Sequence, residues 1–135
     1  MKKIVLIISL VFAFGIRSFA QNEENDGNEK IRDKMTEFIQ KRLNLSKGEA
    51  ERFTPVFLRY FREWRTTIRE NRGDVIMMQK RVAEVRLQYR DQFKEIIGER
   101  RSNDVYVQQD LFIRELRRMQ MENKEIPTRR NRLLQ

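Results

Sequence analysis

The apolar positions of this chain form one almost unbroken run followed by four stripes at helical spacing. The run, Ile4 to Ile16, has 13 residues and is closed by Arg17. Residues 21 to 28 are wholly polar apart from Gly27 and have nothing to bury, so a flexible leader is expected there. A first helix is then read from Glu29 to Leu43, because Ile31, Met35, Phe38, Ile39 and Leu43 recur at steps of three and four. Asn44 and Leu45 interrupt that stripe. Ser46-Lys47-Gly48-Glu49 restarts the helix as a capping box, in which the serine oxygen takes a backbone N–H and the glutamate reaches back.

The second stripe is the most informative. At 100° per residue, Ala50, Phe53, Phe57, Tyr60, Phe61, Trp64 and Ile68 occupy a sector roughly 100° wide, while Arg52, Arg59, Arg62, Arg65, Arg69 and Arg72 lie on the opposite side. One side of this helix is aromatic and the other is guanidinium. Pro55 removes one backbone hydrogen bond, but the pattern continues in phase beyond it, so a bend is expected within a helix of about 39 Å. Gly73-Asp74 is the next break, with Asp74 as cap. A third helix follows on Val75, Met78, Val82, Val85, Tyr89, Phe93 and Ile96, which approximate a heptad seam and lead to a C-terminal Gly98. Ser102-Asn103 is read as the cap of a fourth helix over Asp104 to Asn123, with Val105, Phe112, Leu116 and Met119 on one side. Pro127 is expected to close it, leaving residues 127–135 as a frayed basic tail. No window alternates with period two, so the chain is all-α.

Composition narrows the chemistry. Lys2 and Lys3, the apolar run and Ser18-Phe19-Ala20 together have the form of an export signal cut after Ala20; the run is too short for a membrane-spanning helix, which needs about 20 residues. The expected location is the periplasm. Cleavage removes three basic residues and leaves 26 against 20 acidic ones, a net charge of +6. In an exported chain that excess points to acidic protein segments or an anionic membrane surface rather than to nucleic acid. The chain has no cysteine and no histidine, which excludes disulfides and histidine-assisted nucleophilic catalysis. No glycine-rich phosphate loop is present, the carboxylate pairs lie in polar stretches, and neither a metal site nor a cofactor is expected. The chain is read as a single domain of residues 29–126 that is not an enzyme.

What remains is surface recognition. An aromatic stripe serves either as core or as a binding surface, and the methionines, such as Met77, Met78, Met119 and Met121, supply adaptable apolar contact. The candidate partner-binding residues are Phe57, Arg59, Phe61, Arg62, Trp64, Arg65 and Arg69.

The segment from Leu43 through Leu45, Ser46, Glu49, Phe53 and Pro55 to Phe57 resembles the first repeat of the Spy/CpxP-like exported proteins, in which a Leu-Thr-x-x-Gln unit opens a long helix. It looks most similar to the branch of sensors of extracytoplasmic-function sigma factors, and the stretches Tyr89 to Ile97 and Asp110 to Leu116 are similar to that branch's second half. Ser46 and Glu49 stand where the best-known members have threonine and glutamine. The resemblance implies helical hairpins packed into a thin, curved cradle, an antiparallel homodimer, and either ATP-independent holding of unfolded envelope proteins or stress sensing through an anti-sigma partner. Peripheral binding to an anionic membrane or envelope polymer is the alternative reading of the basic face.

Overall fold

The computed structural model describes the backbone of residues 17–132 and the side chains of residues 27–124. The apolar run at 4–16 and the last three residues of the basic tail lie outside the described residues. Four helices and no strand make up what is described: α1 (Arg17–Arg42), α2 (Lys47–Glu70), α3 (Val75–Ile97) and α4 (Glu99–Arg132). The chain divides into two compact units between Lys34 and Met35. In the first, α1 is helical through residues 17–28, where a flexible leader was expected. That stretch contains no proline, and its one glycine weakens a helix by only about 1 kcal/mol relative to alanine.

The second unit is built on the ends of its helices. α1 stops in a Schellman turn: the Leu45 N–H donates to the Gln40 carbonyl at 3.1 Å and the Asn44 N–H to that of Lys41 at 3.1 Å. Asn44 takes the left-handed conformation this turn requires, at φ 51°, and asparagine is the non-glycine residue best suited to it. The capping box expected at Ser46 is present in both directions, with the Glu49 N–H donating to Ser46 Oγ at 3.2 Å and the Ser46 N–H to Glu49 Oε1 at 3.0 Å. α2 then runs unbroken through Pro55 for 24 residues, about 36 Å. Asp74 starts α3 by accepting the Met77 N–H at 2.9 Å.

Two boundaries differ from expectation. α4 begins at Glu99, immediately after Gly98, so Ser102 and Asn103 lie inside its first turn and donate to the Glu99 carbonyl instead of capping the helix. Gly98 makes the abrupt junction possible with φ 85° and ψ 168°, a conformation open essentially to glycine alone. At the other end α4 continues through Pro127 to Arg132. Proline there forfeits one hydrogen bond to the preceding turn, while its fixed φ near −65° is itself helical.

α2 packs on α3 and α3 on α4, and their shared interior is aromatic. Phe93 of α3 lies 5.1 Å from Phe53, 6.1 Å from Tyr60 and 6.3 Å from Tyr106, ring centre to ring centre. Each such pair adds about 0.5–1.5 kcal/mol beyond the area it buries. Met35, Ile39 and Leu43 close this core from α1, and Phe38 meets Phe112 of α4 edge-on at 5.5 Å. The seam on α3 matches expectation at Val85, Tyr89 and Phe93, but Ile97 is the buried residue of the last turn, with Ile96 half-exposed, and Val75 at the start is exposed. On α4 the buried stripe runs Ser102, Val105 and Gln109, leading to the half-buried Phe112.

Candidate binding surface

The expected two-sidedness of α2 is present, and it divides the candidate partner-binding residues. Phe57 and Phe61 are sealed in the core, and Trp64 is half-buried with its ring 5.6 Å from Phe61. Phe57 and Phe61 are therefore corrected from binding to core residues: the same sector that made them a plausible grip is the one on which α3 packs. Arg59, Arg62, Arg65 and Arg69 remain exposed, as do Arg52 and Arg72. Arg59 reaches across to Gln92 Oε1 on α3 at 3.5 Å, and Arg52 donates to the Gly48 carbonyl at 3.3 Å, one turn back. No salt bridge among the described residues neutralises Arg59, Arg62 or Arg69, so α2 presents a row of cations to its surroundings.

Apolar side chains also remain uncovered, and they lie away from the aromatic stripe. Val75, Ile76 and Met77 open α3; Leu87 lies further along it; Val107, Met119 and Met121 are on α4. Two open depressions on α4 share Arg114 and Arg117, one bordered by Val107 and Ile113, the other by Met121. Arginine beside apolar surface thus recurs on α4 as well as on α2, a combination that pairs long-range attraction for acidic segments with short-range contact for greasy ones.

The family-motif residues have structural roles. Phe53 is fully buried, Pro55 is exposed, Leu45 is half-buried, and Ser46 and Glu49 form the cap. Glu49 does more than cap α2, since Arg101 of α4 grips its carboxylate with both terminal nitrogens, Nη1 to Oε1 at 3.1 Å and Nη2 to Oε2 closer still. These hydrogen bonds from Arg101, with the Ser46 N–H, hold the Glu49 carboxyl down to about 2 from an ordinary value of 4.5. The first turn of α2 is in this way tied to the first turn of α4.

One polar cluster had no counterpart in the sequence reading. Gln109 is 0% exposed, and its Oε1 accepts both the Tyr60 hydroxyl at 2.5 Å and Arg86 Nη2 at 3.2 Å. Arg86 also donates to Asp110 at 2.7 Å and lies 5.3 Å from the centre of the Tyr106 ring, whose hydroxyl in turn donates to the Arg86 backbone carbonyl at 2.6 Å. Gln109 Nε2 is the one buried side-chain polar atom without a partner among the described residues. The amide cannot be turned over to relieve this, because its nitrogen would then face the donors of Arg86 and Tyr60. Burial pushes the Tyr60 hydroxyl above its usual range, with the Arg86 charge opposing. The signal that would have found the cluster was register: Gln109 is four residues after Val105 and three before Phe112, on the apolar stripe itself. No group of acidic side chains suited to a metal ion occurs among the described residues.

Compared with family models, curated proteins and solved structures, the chain matches none.

Proposed function

We propose that this is an exported, non-enzymatic helical binding protein of the Spy/CpxP-like kind, one that holds partly unfolded or signalling envelope proteins on a surface combining arginine with exposed apolar side chains. The observation that carries the reading is the set of exposed arginines Arg59, Arg62 and Arg69 on α2, which no salt bridge among the described residues neutralises, in a molecule that seals its aromatic core and still leaves Leu87, Val107, Met119 and Met121 uncovered. Acidic client segments are drawn in by charge, and apolar ones are retained by the methionines and aliphatic residues. Binding of this kind is weak and weakens further with salt. The proposal extends to a periplasmic location after cleavage at Ala20, to an antiparallel homodimer with a cradle-like concave face, and to a signalling role through an anti-sigma protein.

Light scattering tests it. An aggregating client at low salt is expected to scatter less in the presence of the protein, and Arg59/Arg62/Arg69→Ser is expected to lose most of that protection. A client that precipitates at the same rate with and without the protein refutes a holding function. A pull-down yielding one stoichiometric partner and no unfolded proteins assigns the surface to signalling instead.

A further inference from the structure

The tip of the α2–α3 hairpin has a composition that the holding of proteins does not require. Val75, Ile76 and Met77 are 58%, 75% and 37% exposed, and they are consecutive. Single exposed apolar residues are ordinary, but three in succession at the end of a helix are not. Successive helical residues are separated by 100°, so these three wrap around about 200° of the first turn of α3 rather than forming a stripe. A protein groove or a second helix covers a stripe at three- and four-residue spacing. An apolar crown that faces several directions at once is covered only by a medium that surrounds it.

The charges nearby identify that medium. From Arg65 to Arg81 the chain carries five basic residues, Arg65, Arg69, Arg72, Lys80 and Arg81, against two acidic ones, Glu70 and Asp74. Asp74 is committed to the helix cap through the Met77 N–H, and Arg81 pairs with Glu84 at 3.0 Å in the following turn. Arg69, Arg72 and Lys80 are exposed on both sides of the crown. Apolar residues that enter a boundary about 5–10 Å deep, with cations at the level of the headgroups, are the arrangement of a shallow contact with an anionic lipid surface.

We propose that the α2–α3 tip is a membrane-contact site, with Val75, Ile76 and Met77 entering the acyl–headgroup boundary of an anionic bilayer and Arg69, Arg72 and Lys80 contacting its phosphates. The site shares Arg69 with the arginine row proposed for client proteins, while Val75, Ile76, Met77, Arg72 and Lys80 lie outside the residues that proposal uses. The chain contains no cysteine, so one introduced at Ile76→Cys in the full chain accepts a polarity-sensitive fluorophore at that position alone. A matching label at Asp91→Cys, an exposed position about 22 Å further along α3, reports on the rest of the helix.

With vesicles of phosphatidylglycerol and phosphatidylcholine at low salt, the label at 76 is expected to shift to the blue while the label at 91 does not. The shift should fade at high salt and with phosphatidylcholine alone. In the unlabelled chain, Ile76→Ser is expected to weaken this vesicle association about tenfold. An unshifted label at 76 on a chain that sediments with anionic vesicles overturns the proposal, as does an equal shift on both kinds of vesicle. A label that shifts with an unfolded protein but not with lipid reassigns the tip to client binding and also overturns it.

Discussion

Replacing Tyr60 by phenylalanine and Gln109 by leucine, singly and together, tests whether the buried polar cluster is a coupled unit. Tyr60→Phe deletes the hydroxyl that donates to Gln109 Oε1 at 2.5 Å and accepts from Arg86 Nε at 3.4 Å. The amide oxygen retains Arg86, so the expected loss is about 1–2 kcal/mol. Gln109→Leu leaves a Tyr60 hydroxyl that is 0% exposed with no acceptor, a cost of about 1–3 kcal/mol, and simultaneously removes the orphaned Nε2, which offsets much of it. In the double variant the Tyr60 hydroxyl and the Gln109 amide are both gone, and Arg86 keeps Asp110 at 2.7 Å. Replacing both partners by apolar groups of similar shape is close to neutral. The double variant should therefore lie within about 1 kcal/mol of the parent and be more stable than the sum of the singles by about 1–2 kcal/mol. Urea unfolding followed by circular dichroism at 222 nm measures all four corners. Single losses that add to within about 0.5 kcal/mol refute the coupling, and with it the reading of this cluster as one hydrogen-bonded unit.

Three further outcomes follow from the structure. Tyr60, Tyr89 and Tyr106 are the only tyrosines, and all three are raised above 10, chiefly by burial, with Glu63 adding to the effect at Tyr89. Raised phenols stabilise the fold fully below pH 10 and lose that contribution as pH climbs through their folded values, so phenolate absorbance at 295 nm should appear only together with alkaline unfolding. Glu49 is depressed from 4.5 to about 2, chiefly by Arg101, so its contribution is complete above pH 4.5 and drains away as pH falls toward 2; Glu49→Gln should flatten stability across that window in acid titrations of the unfolding midpoint. Gly98→Ala meets no atom within 4 Å, so its cost is that of the backbone alone at φ 85°, about 1–3 kcal/mol in urea unfolding, and a neutral substitution would refute the strain assigned to this junction.

Much of this fold was legible because its helices are amphipathic and punctuated. The capping box at Ser46, the cap at Asp74 and the glycine at 98 each carry a local physical signal, and the structure uses all three. What escaped were features in which tertiary packing overrides local preference. Ser102 reads as a cap, yet it is buried one turn into α4 because Gly98 alone makes the junction. Pro127 reads as a stop, yet it sits within a continuing helix. Gln109 is a polar residue type, yet it is core, because it stands in register with Val105 and Phe112 on the buried stripe of α4. For the candidate surface, the arginine side of α2 was legible from angular spacing alone. Whether the opposite side would be core or grip depends on how much of it α3 covers, which periodicity does not encode.

That coverage separates stability from recognition in this molecule. The aromatic residues that gave α2 its binding character are spent on the core: Phe53, Phe57, Tyr60 and Phe93 interlock, and truncating any one of them to alanine costs about 3–5 kcal/mol. The arginines opposite contribute little to that core, because the interactions of exposed charges are weak in water and add little to folding. Substitutions in the arginine row or at the α3 tip can therefore be read as effects on binding, whereas substitutions in the aromatic sector cannot. A variant set drawn only from the most conspicuous residues, Phe57, Phe61 and Trp64, would confound the two. Arg59 and Arg62 for proteins, and Val75, Ile76 and Met77 for lipid, are the positions at which loss of a partner is distinguishable from loss of the fold.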